Sequence, residues 1–326
     1  GRRPPLLAGL TAFVLSSLAC AVAPSIYVLT GFRLIQGVGG AAGIVIARSI
    51  VRDLHSGVAL ARFFSTLMLA TGLGPVLAPQ IGSWILAVTS WRGVFIVLAA
   101  LGTLLLASAW WRVPETLPAE ARSPGGISVA LRAMGVICRD RVFAGCALAC
   151  ALAMGSVFAW VAGSSFVLQN VYGLSAQRYG LVFALSGCTM VAGAQVSARL
   201  SARFGPSALL AAGLVTMTAG GALLFLVIVT HAVGLAGVIP TVVIITSGWG
   251  LVGPNALALA MHRHPQSAGT ASAVLGCLQF VMAAAVAPLP GLGGPADPLP
   301  MAILLLTLPI AAIASRVLLA GRAGIG

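Results

Sequence analysis

Long apolar stretches separated by short polar breaks run along the whole chain of 326 residues. A membrane-spanning helix needs roughly 20 consecutive apolar residues. Turn-forming residues such as Gly205 and Pro206 mark the breaks between stretches, and the stretches do not alternate apolar and polar residues as barrel strands do. The pattern therefore predicts an all-α polytopic membrane protein with ten spans, at 5–23, 26–50, 62–87, 92–112, 142–166, 175–198, 206–230, 232–259, 267–289 and 299–320.

Composition excludes a water-soluble domain. The chain is 60% hydrophobic and 7% charged, whereas a soluble domain has about 25% charged residues. Its 18 basic residues, all of them arginine, exceed its 5 acidic residues and give a net charge of +13. Such a charge can indicate nucleic-acid binding, but these arginines lie between apolar stretches and form no solvated basic face. We therefore predict no nucleic-acid partner.

The arginines predict the orientation of the chain in the membrane. If the N-terminus is cytoplasmic and the spans alternate, 15 arginines lie inside, Arg92 and Arg178 lie outside, and Arg33 lies within a span. Loops rich in arginine stay in the cytoplasm. Both termini and the long loop at 113–141 are therefore predicted to be cytoplasmic.

That loop divides the chain into three predicted parts. Residues 1–112 form an N-terminal half-bundle of four spans, and residues 142–326 form a C-terminal bundle of six. Within the central loop, 113–141, apolar residues recur at helical spacing from Ile127 to Cys138, which predicts an amphipathic helix on the inner membrane surface. The first and seventh spans open with similar residues, which indicates parallel repeats of six spans.

Arg33 is a charged residue inside a predicted span, about eight residues into it and therefore at a depth of roughly 12 Å. An arginine in the membrane costs at least about 2.5–3.5 kcal/mol and normally faces a cavity or a partner. Gln36 follows on the same helix face, which Gly37 and Gly40 continue. We predict a polar cavity wall at Arg33 and Gln36. The alternative is that Arg33 reaches outward to lipid headgroups.

The third stretch contains closely spaced glycines and prolines: Gly72, Gly74, Pro75, Pro79 and Gly82. Each proline removes a backbone hydrogen bond and predicts a kink. The small residues let a neighbouring helix approach closely. A structural kink without a functional role is the alternative.

Several of these segments resemble motifs of one transporter family. Arg33-Leu-Ile-Gln36-Gly37 is similar to the Arg-x-x-Gln-Gly motif in the fourth helix of major facilitator transporters. The segment 72–82 resembles the Gly-Pro motif of the fifth helix, which is associated with antiporters. Residues 1–4 resemble the end of the loop motif between helices two and three. Residues 47–54 and 158–175 resemble the Bcr/CflA subgroup of drug-resistance transporters.

The resemblance implies a major facilitator fold of twelve helices, of which about ten are present here because the chain is expected to lack the first two. It implies export of drugs such as chloramphenicol or bicyclomycin in exchange for protons, across the bacterial cytoplasmic membrane. It further implies that Arg33 and Gln36 serve proton coupling, that 72–82 is the antiporter-motif helix, and that Arg2, Arg3 and Asp53 form a cytoplasmic gate.

The family's first helix usually carries an acidic residue linked to proton coupling. All five acidic residues of this chain lie in predicted loops or at predicted helix ends. We therefore expect the coupling carboxylate to come from the missing helices, and the chain expressed alone to show no proton-driven export.

Other candidates are aromatic or amide side chains within the C-terminal spans. Phe158 and Trp160 are predicted to stack on a flat drug, because efflux sites favour adaptable apolar contacts; packing or lipid contact is the alternative. Asn255 and Gln279 are candidate polar contacts, with bridging between helices as the alternative.

The apolar stretches contain no acidic residue and no paired histidines, so we expect no enzyme activity, no cofactor and no metal site. We expect a monomer whose partners are a small drug, protons and the lipid bilayer. Export of another small molecule, such as a metabolite or a siderophore, is the alternative function.

Overall fold

The computed structural model describes residues 1–54, 74, 77–78, 80–116, 134–231, 233–263, 268–294 and 297–320. Within these residues all regular secondary structure is helical. The chain divides into two compact units, Gly1–Pro124 and Gly125–Gly326. The boundary falls inside the long loop that the sequence predicts at 113–141. Of the amphipathic helix predicted in that loop, only residues 134–138 lie in the described part, and they are helical.

The first unit contains three long helices and one shorter helical segment among its described residues. They are α1 (Arg3–Ala21), α2 (Ile26–Leu54), α3 (residues 80–88) and α4 (Trp91–Arg112).

The second unit contains five further long helices. They are α5 (Arg141–Ser165, continued by a π-helix at Phe166–Val171), α6 (Ala176–Thr230), α7 (Gly234–Arg263), α8 (Ala268–Val286, followed by a 3₁₀ turn at Leu289–Gly293) and α9 (Leu299–Ala320).

Eight of the described helices are long and apolar enough to cross a membrane. They cover nine of the ten predicted spans, because the 55-residue helix α6 contains two of them, 175–198 and 206–230. The remaining span, 62–87, lies mostly outside the described residues. The all-α membrane fold predicted from the apolar stretches is confirmed.

Helix α6 is two helical arms that meet at Gly205. The backbone of Gly205 has φ 73° and ψ 160°, and Pro206 begins the second arm. Only glycine adopts this backbone region readily, and proline suits the first turn of a helix. The Gly-Pro pair therefore turns the chain between two spans, as the sequence predicts.

Close helix contacts hold the first unit together. Helix α1 packs on α2 where Gly9 and Gly39 meet: a Cβ on Gly39 would lie 2.6 Å from the carbonyl oxygen of Gly9. Leu6, Ile50 and Ala109 form a small apolar cluster that joins α1, α2 and α4. Since lipid tails are as apolar as leucine, close packing of small residues is a main source of helix association in a membrane.

The second unit has a larger core, in which α6 and α7 pack most intimately. A Cβ on Gly213 would lie 2.7 Å from the carbonyl oxygen of Gly248, and one on Gly248 would lie 2.8 Å from that of Gly213. Thr189 on the first arm of α6 and Thr246 on α7 share a hydrogen bond of 2.7 Å. Helices held this closely form a rigid frame for the polar side chains between them.

Candidate functional site

Arg33 begins a chain of side-chain hydrogen bonds between α2 and α1. Its Nη1 donates to Oε1 of Gln36 at 2.7 Å, and Nε2 of Gln36 donates to Oγ of Ser17 at 2.6 Å. Ser17 in turn donates to the carbonyl oxygen of Phe13 at 2.6 Å. We call Arg33, Gln36 and Ser17 the arginine network. The predicted shared face of Arg33 and Gln36 is present in the structure.

A third helix contributes an aromatic ring to this site. The guanidinium carbon of Arg33 lies 5.7 Å from the centre of the Phe95 ring on α4, a distance at which a cation is attracted by the ring face. Gln36 is only 3% exposed, whereas Arg33 is exposed. The buried amide therefore anchors a guanidinium whose remaining N–H groups are available to a ligand or a partner.

The chemistry open to Arg33 is electrostatic. A guanidinium stays protonated in proteins, so it cannot carry a proton across the membrane. A fixed positive charge does lower the pKa of a carboxylate placed next to it. The arginine network can thus hold an anionic group and release it when the contact is weakened.

A second polar cluster lies where α1 begins and α2 and α4 end. Nε of Arg2 pairs with Oδ2 of Asp53 at 3.0 Å, and the backbone N–H of Arg2 donates to Oε1 of Glu115 at 2.6 Å. Thr116 donates to the same Asp53 oxygen at 3.4 Å. We call Arg2, Arg3, Asp53, Glu115 and Thr116 the end cluster. The predicted proximity of Asp53 to Arg2 is present; Glu115 and Thr116 were not predicted.

Arg3 supports the end cluster from the side of α4. Its Nη2 donates to the carbonyl oxygen of Trp110 at 2.7 Å, and its guanidinium carbon lies 5.7 Å from the Trp110 ring centre. The sequence carries one signal for the unpredicted Glu115, which lies just after the fourth predicted span. At that place its carboxylate can reach a cation on a neighbouring helix end.

The antiporter-motif segment is described only in part. Gly74 and Gly82 lie in helical segments, and a Cβ on either would meet no atom within 4 Å. Gly72, Pro75 and Pro79 lie outside the described residues, so the predicted kink remains a prediction.

Two of the C-terminal candidates lie together across α5 and α8. The rings of Phe158 and Phe280 form an edge-to-face pair with centres 6.4 Å apart. Nε2 of Gln279 donates to Sγ of Cys150 at 2.9 Å. Phe280 and Cys150 were not predicted, because an aromatic or a cysteine in an apolar stretch carries no signal of its neighbours.

The other two candidates are packed inside the second unit. Nδ2 of Asn255 on α7 donates to Oγ of Ser197 at 2.6 Å and to the carbonyl oxygen of Leu251 at 2.7 Å. The ring of Trp160 is only 2% exposed. Asn255 thus bridges α7 and α6, and a substrate contact by Asn255 or Trp160 stays a prediction.

Membrane-length helices, apolar surfaces and a charged network inside the spans together define a multi-pass membrane transporter. Residues 1–288 match the family model of the Major Facilitator Superfamily. The chain belongs to this superfamily, whose members are transporters and not enzymes.

Three individual relatives show which proteins of the superfamily the chain resembles. The chain is 36% identical to the uncharacterized MFS-type transporter YdgK of Bacillus subtilis over 90% of this chain and 73% of that protein. It is 30% identical to the bicyclomycin resistance protein homolog of Haemophilus influenzae over 87% of this chain and 71% of that protein. It is 28% identical to a chloramphenicol resistance protein of Pseudomonas aeruginosa over 86% of this chain and 66% of that protein.

Solved structures show the same fold. The D-xylose-proton symporter superposes with a TM-score of 0.72 at 17% sequence identity, over 97% of this chain and 80% of that one. At this identity the likeness establishes the major facilitator fold.

Proposed function

We propose that this protein exports small amphipathic drugs in exchange for protons, by alternating access across the bacterial cytoplasmic membrane. The observation that carries the proposal is the likeness to proteins named for bicyclomycin and chloramphenicol resistance, at 30% and 28% identity. The arginine network within the spans supplies a charged site of the kind that coupled transport needs. The protein acts as a monomer in this proposal.

Arg33 has an electrostatic role in the proposed cycle. Its charge lowers the pKa of a neighbouring carboxylate, which therefore stays ionised until substrate or helix movement weakens the contact. The carboxylate then takes up a proton on one side and releases it on the other. Gln36, held by Ser17 at 2.6 Å, keeps the guanidinium in place during this exchange.

The proposed orientation puts both termini and the loop 113–141 in the cytoplasm. The end cluster then lies on the cytoplasmic side, where the pair formed by Arg2 and Asp53, with Arg3 beside it, acts as a gate. In this proposal residues 1–112 are a half-bundle that carries proton coupling, with 72–82 as its antiporter-motif helix. Residues 142–326 form the bundle that contacts the drug.

The drug contacts proposed in the second unit are apolar and aromatic. Phe158 lies beside Phe280, and Gln279 supplies a nearby amide. Asn255 and Trp160, which are buried in the described conformation, would reach substrate only when α5 and α7 move. A surface of adaptable side chains suits several drugs of different shape.

A drug-susceptibility panel tests the proposed function. The protein is expressed from its natural gene in bacteria that lack their own drug exporters, and growth is measured with chloramphenicol, bicyclomycin and unrelated drugs. We expect resistance to at least one drug, its loss with Arg33→Ala, and its retention with the exposed control Arg178→Ala. Unchanged resistance with Arg33→Ala, at equal protein level, would contradict the role of Arg33.

The same cells distinguish the alternative substrates. If the protein exports a metabolite or a siderophore instead of a drug, growth in the drug panel will be the same with and without the protein. Membrane vesicles that contain the protein and are loaded with that compound will then retain less of it than vesicles without the protein.

A further inference from the structure

A cavity of about 230 Å³ opens between the second arm of α6 and the end of α9. Ser207, Leu214 and Val215 line it from α6, and Ile313, Arg316 and Val317 line it from α9. All of these residues belong to the second unit. None of them belongs to the arginine network, the end cluster or the proposed drug contacts.

The polar end of the cavity carries the positive charge of Arg316. Nη2 of Arg316 donates to the carbonyl oxygen and to Oγ of Ser207, at 2.9 and 2.7 Å. No acidic residue lines the cavity. Because Ser207 occupies only Nη2 of the guanidinium, an N–H group of Nε or of Nη1 can donate a charge-assisted hydrogen bond to an anion such as a phosphate.

The other end of the cavity is apolar and continues onto an exposed apolar surface of α6 and α9. Val215 and Val317 both line the cavity and are 59% and 64% exposed. In a membrane protein such exposed apolar side chains face acyl chains. A ligand with a phosphate at one end and hydrocarbon at the other would match both ends of the cavity.

The position along the helices also fits a headgroup. Arg316 lies four residues before the end of α9 at Ala320, and Ser207 follows Pro206 at the start of the second arm of α6. Both residues therefore lie at the same end of the second unit, close to the ends of their apolar spans, and the ends of a membrane-spanning helix lie near the lipid headgroups. Arg199 and Arg203 lie near the end of the first arm and are not among the residues that line the cavity.

We propose that this cavity binds one anionic phospholipid of the surrounding bilayer, with the phosphate on Arg316 and the acyl chains along Val215 and Val317. Basic pockets between transmembrane helices are known to take anionic headgroups, and a basic residue near the surface favours anionic lipid by about 1 kcal/mol. That value corresponds to a preference of about fivefold. The site goes beyond the proposed transport function and does not depend on it.

Native mass spectrometry of the purified full chain tests the site. The protein is titrated in detergent with phosphatidylglycerol or with phosphatidylcholine, and the ratio of the two dissociation constants is measured. We expect phosphatidylglycerol to bind about fivefold more tightly. Arg316→Gln should reduce this ratio to about one, whereas Arg199→Gln, which removes an exposed arginine at the same end, should leave it unchanged.

A structural role of Arg316 as a tie between α9 and α6 predicts a different result. It would lower stability equally with both lipids and leave the ratio intact, which would overturn the proposal. Equal loss of preference with Arg199→Gln would also overturn it, because the effect would then be general surface charge.

Two further measurements keep the test independent of how Arg316→Gln folds. Ala208→Phe fills the cavity but keeps Arg316, and we expect it to abolish the preference as well; a retained preference would contradict a cavity-bound lipid. Glycerol 3-phosphate, which has the headgroup phosphate without acyl chains, should not compete at the lipid concentrations used. Equal competition would show a site for free phosphate and overturn the lipid assignment.

Discussion

At the scale of single residues, Gln36 is a buried polar side chain whose amide is hydrogen-bonded at both ends. Its amide accepts a hydrogen bond from Arg33 at one end and donates one to Ser17 at the other. The residue is almost fully buried, so either partner, once lost, leaves a polar atom without compensation. Sequence spacing predicted the pairing of Gln36 with Arg33. It could not predict Ser17, because that contact depends on how α1 is rotated against α2.

Replacing Gln36 by leucine should impair both stability and transport. Gln36→Leu removes both hydrogen bonds and leaves Arg33 unanchored, and we expect a loss of about 1–3 kcal/mol in stability and at least about tenfold in transport rate. The control is Thr30→Val on the same helix, since Thr30 donates only to the carbonyl oxygen of Ile26. Thermal unfolding in detergent and uptake into vesicles provide the measurements. Equal behaviour of both variants would contradict the role given to the arginine network.

At the scale of helices, the crossing of α1 and α2 depends on two small residues. Because Gly9 and Gly39 have no side chain, the backbones of α1 and α2 come into close contact at these two residues. The crossing sets the distance across which Gln36 reaches Ser17. A change at the crossing therefore acts on the arginine network without touching it.

Two glycines of α2 offer a matched comparison. A Cβ on Gly39 would meet backbone atoms of α1, whereas a Cβ on Gly37 would meet no atom within 4 Å. We expect Gly39→Ala to destabilise the protein by about 1–3 kcal/mol through overpacking. Gly37→Ala should be neutral or stabilising by up to about 1 kcal/mol, because alanine favours helix. Thermal unfolding measures the stability of both variants. A Gly39→Ala variant as stable as Gly37→Ala would show that α1 and α2 are not in close contact at Gly39.

At the scale of the whole molecule, two properties govern transport: orientation in the membrane and the balance between conformations. Fifteen arginines on one predicted side and two on the other set the expected orientation. The end cluster ties α1, α2 and α4 at one end of the first unit. If the orientation is as proposed, this end faces the cytoplasm.

Orientation is tested by labelling single cysteines with a membrane-impermeant reagent. The native Cys138 is exposed and lies in the loop predicted to be cytoplasmic. Val233→Cys introduces a thiol at a residue that is 56% exposed and lies at the start of the predicted span 232–259, on the side predicted to be outside. With the other cysteines replaced, position 233 should react in intact cells and Cys138 only after permeabilisation. Labelling of Cys138 from outside would reverse the assignment.

The gate is tested by exchanging charges. Asp53→Arg places like charges at the 3.0 Å contact with Arg2 and should lower transport, and the double variant with Arg2→Asp should recover most of it. The pair is partly exposed, so it contributes only about 0–1 kcal/mol to stability; we therefore expect transport to change more than the unfolding temperature. Unchanged transport with Asp53→Arg would refute the gate.

Some features of this protein follow from its sequence alone. In a bilayer every backbone polar group must be hydrogen-bonded within the protein, so a continuous apolar stretch of about 20 residues forms a helix. This is why the spans at 92–112 and 299–320 agree with α4 and α9 to within one residue. Gly205 and Pro206 marked the turn inside α6 because glycine and proline interrupt a helix locally. The resemblance to major facilitator transporters rested on such local motifs, and the match of residues 1–288 to the superfamily model confirms it.

The contacts between helices were decided only by the tertiary structure. Rotation and separation of membrane helices depend on close packing of small residues and on a few polar contacts, which hydropathy does not encode. The sequence placed Glu115 just after a span but did not show that it accepts a hydrogen bond from Arg2, nor that Asn255 donates to Ser197. The sequence predicts Arg316 only as one of the cytoplasmic arginines. The structure shows that Arg316 lines a cavity and donates a hydrogen bond to Ser207 on α6. A local pattern fixes where a side chain lies along its helix, whereas its neighbours depend on how each helix is turned toward the others.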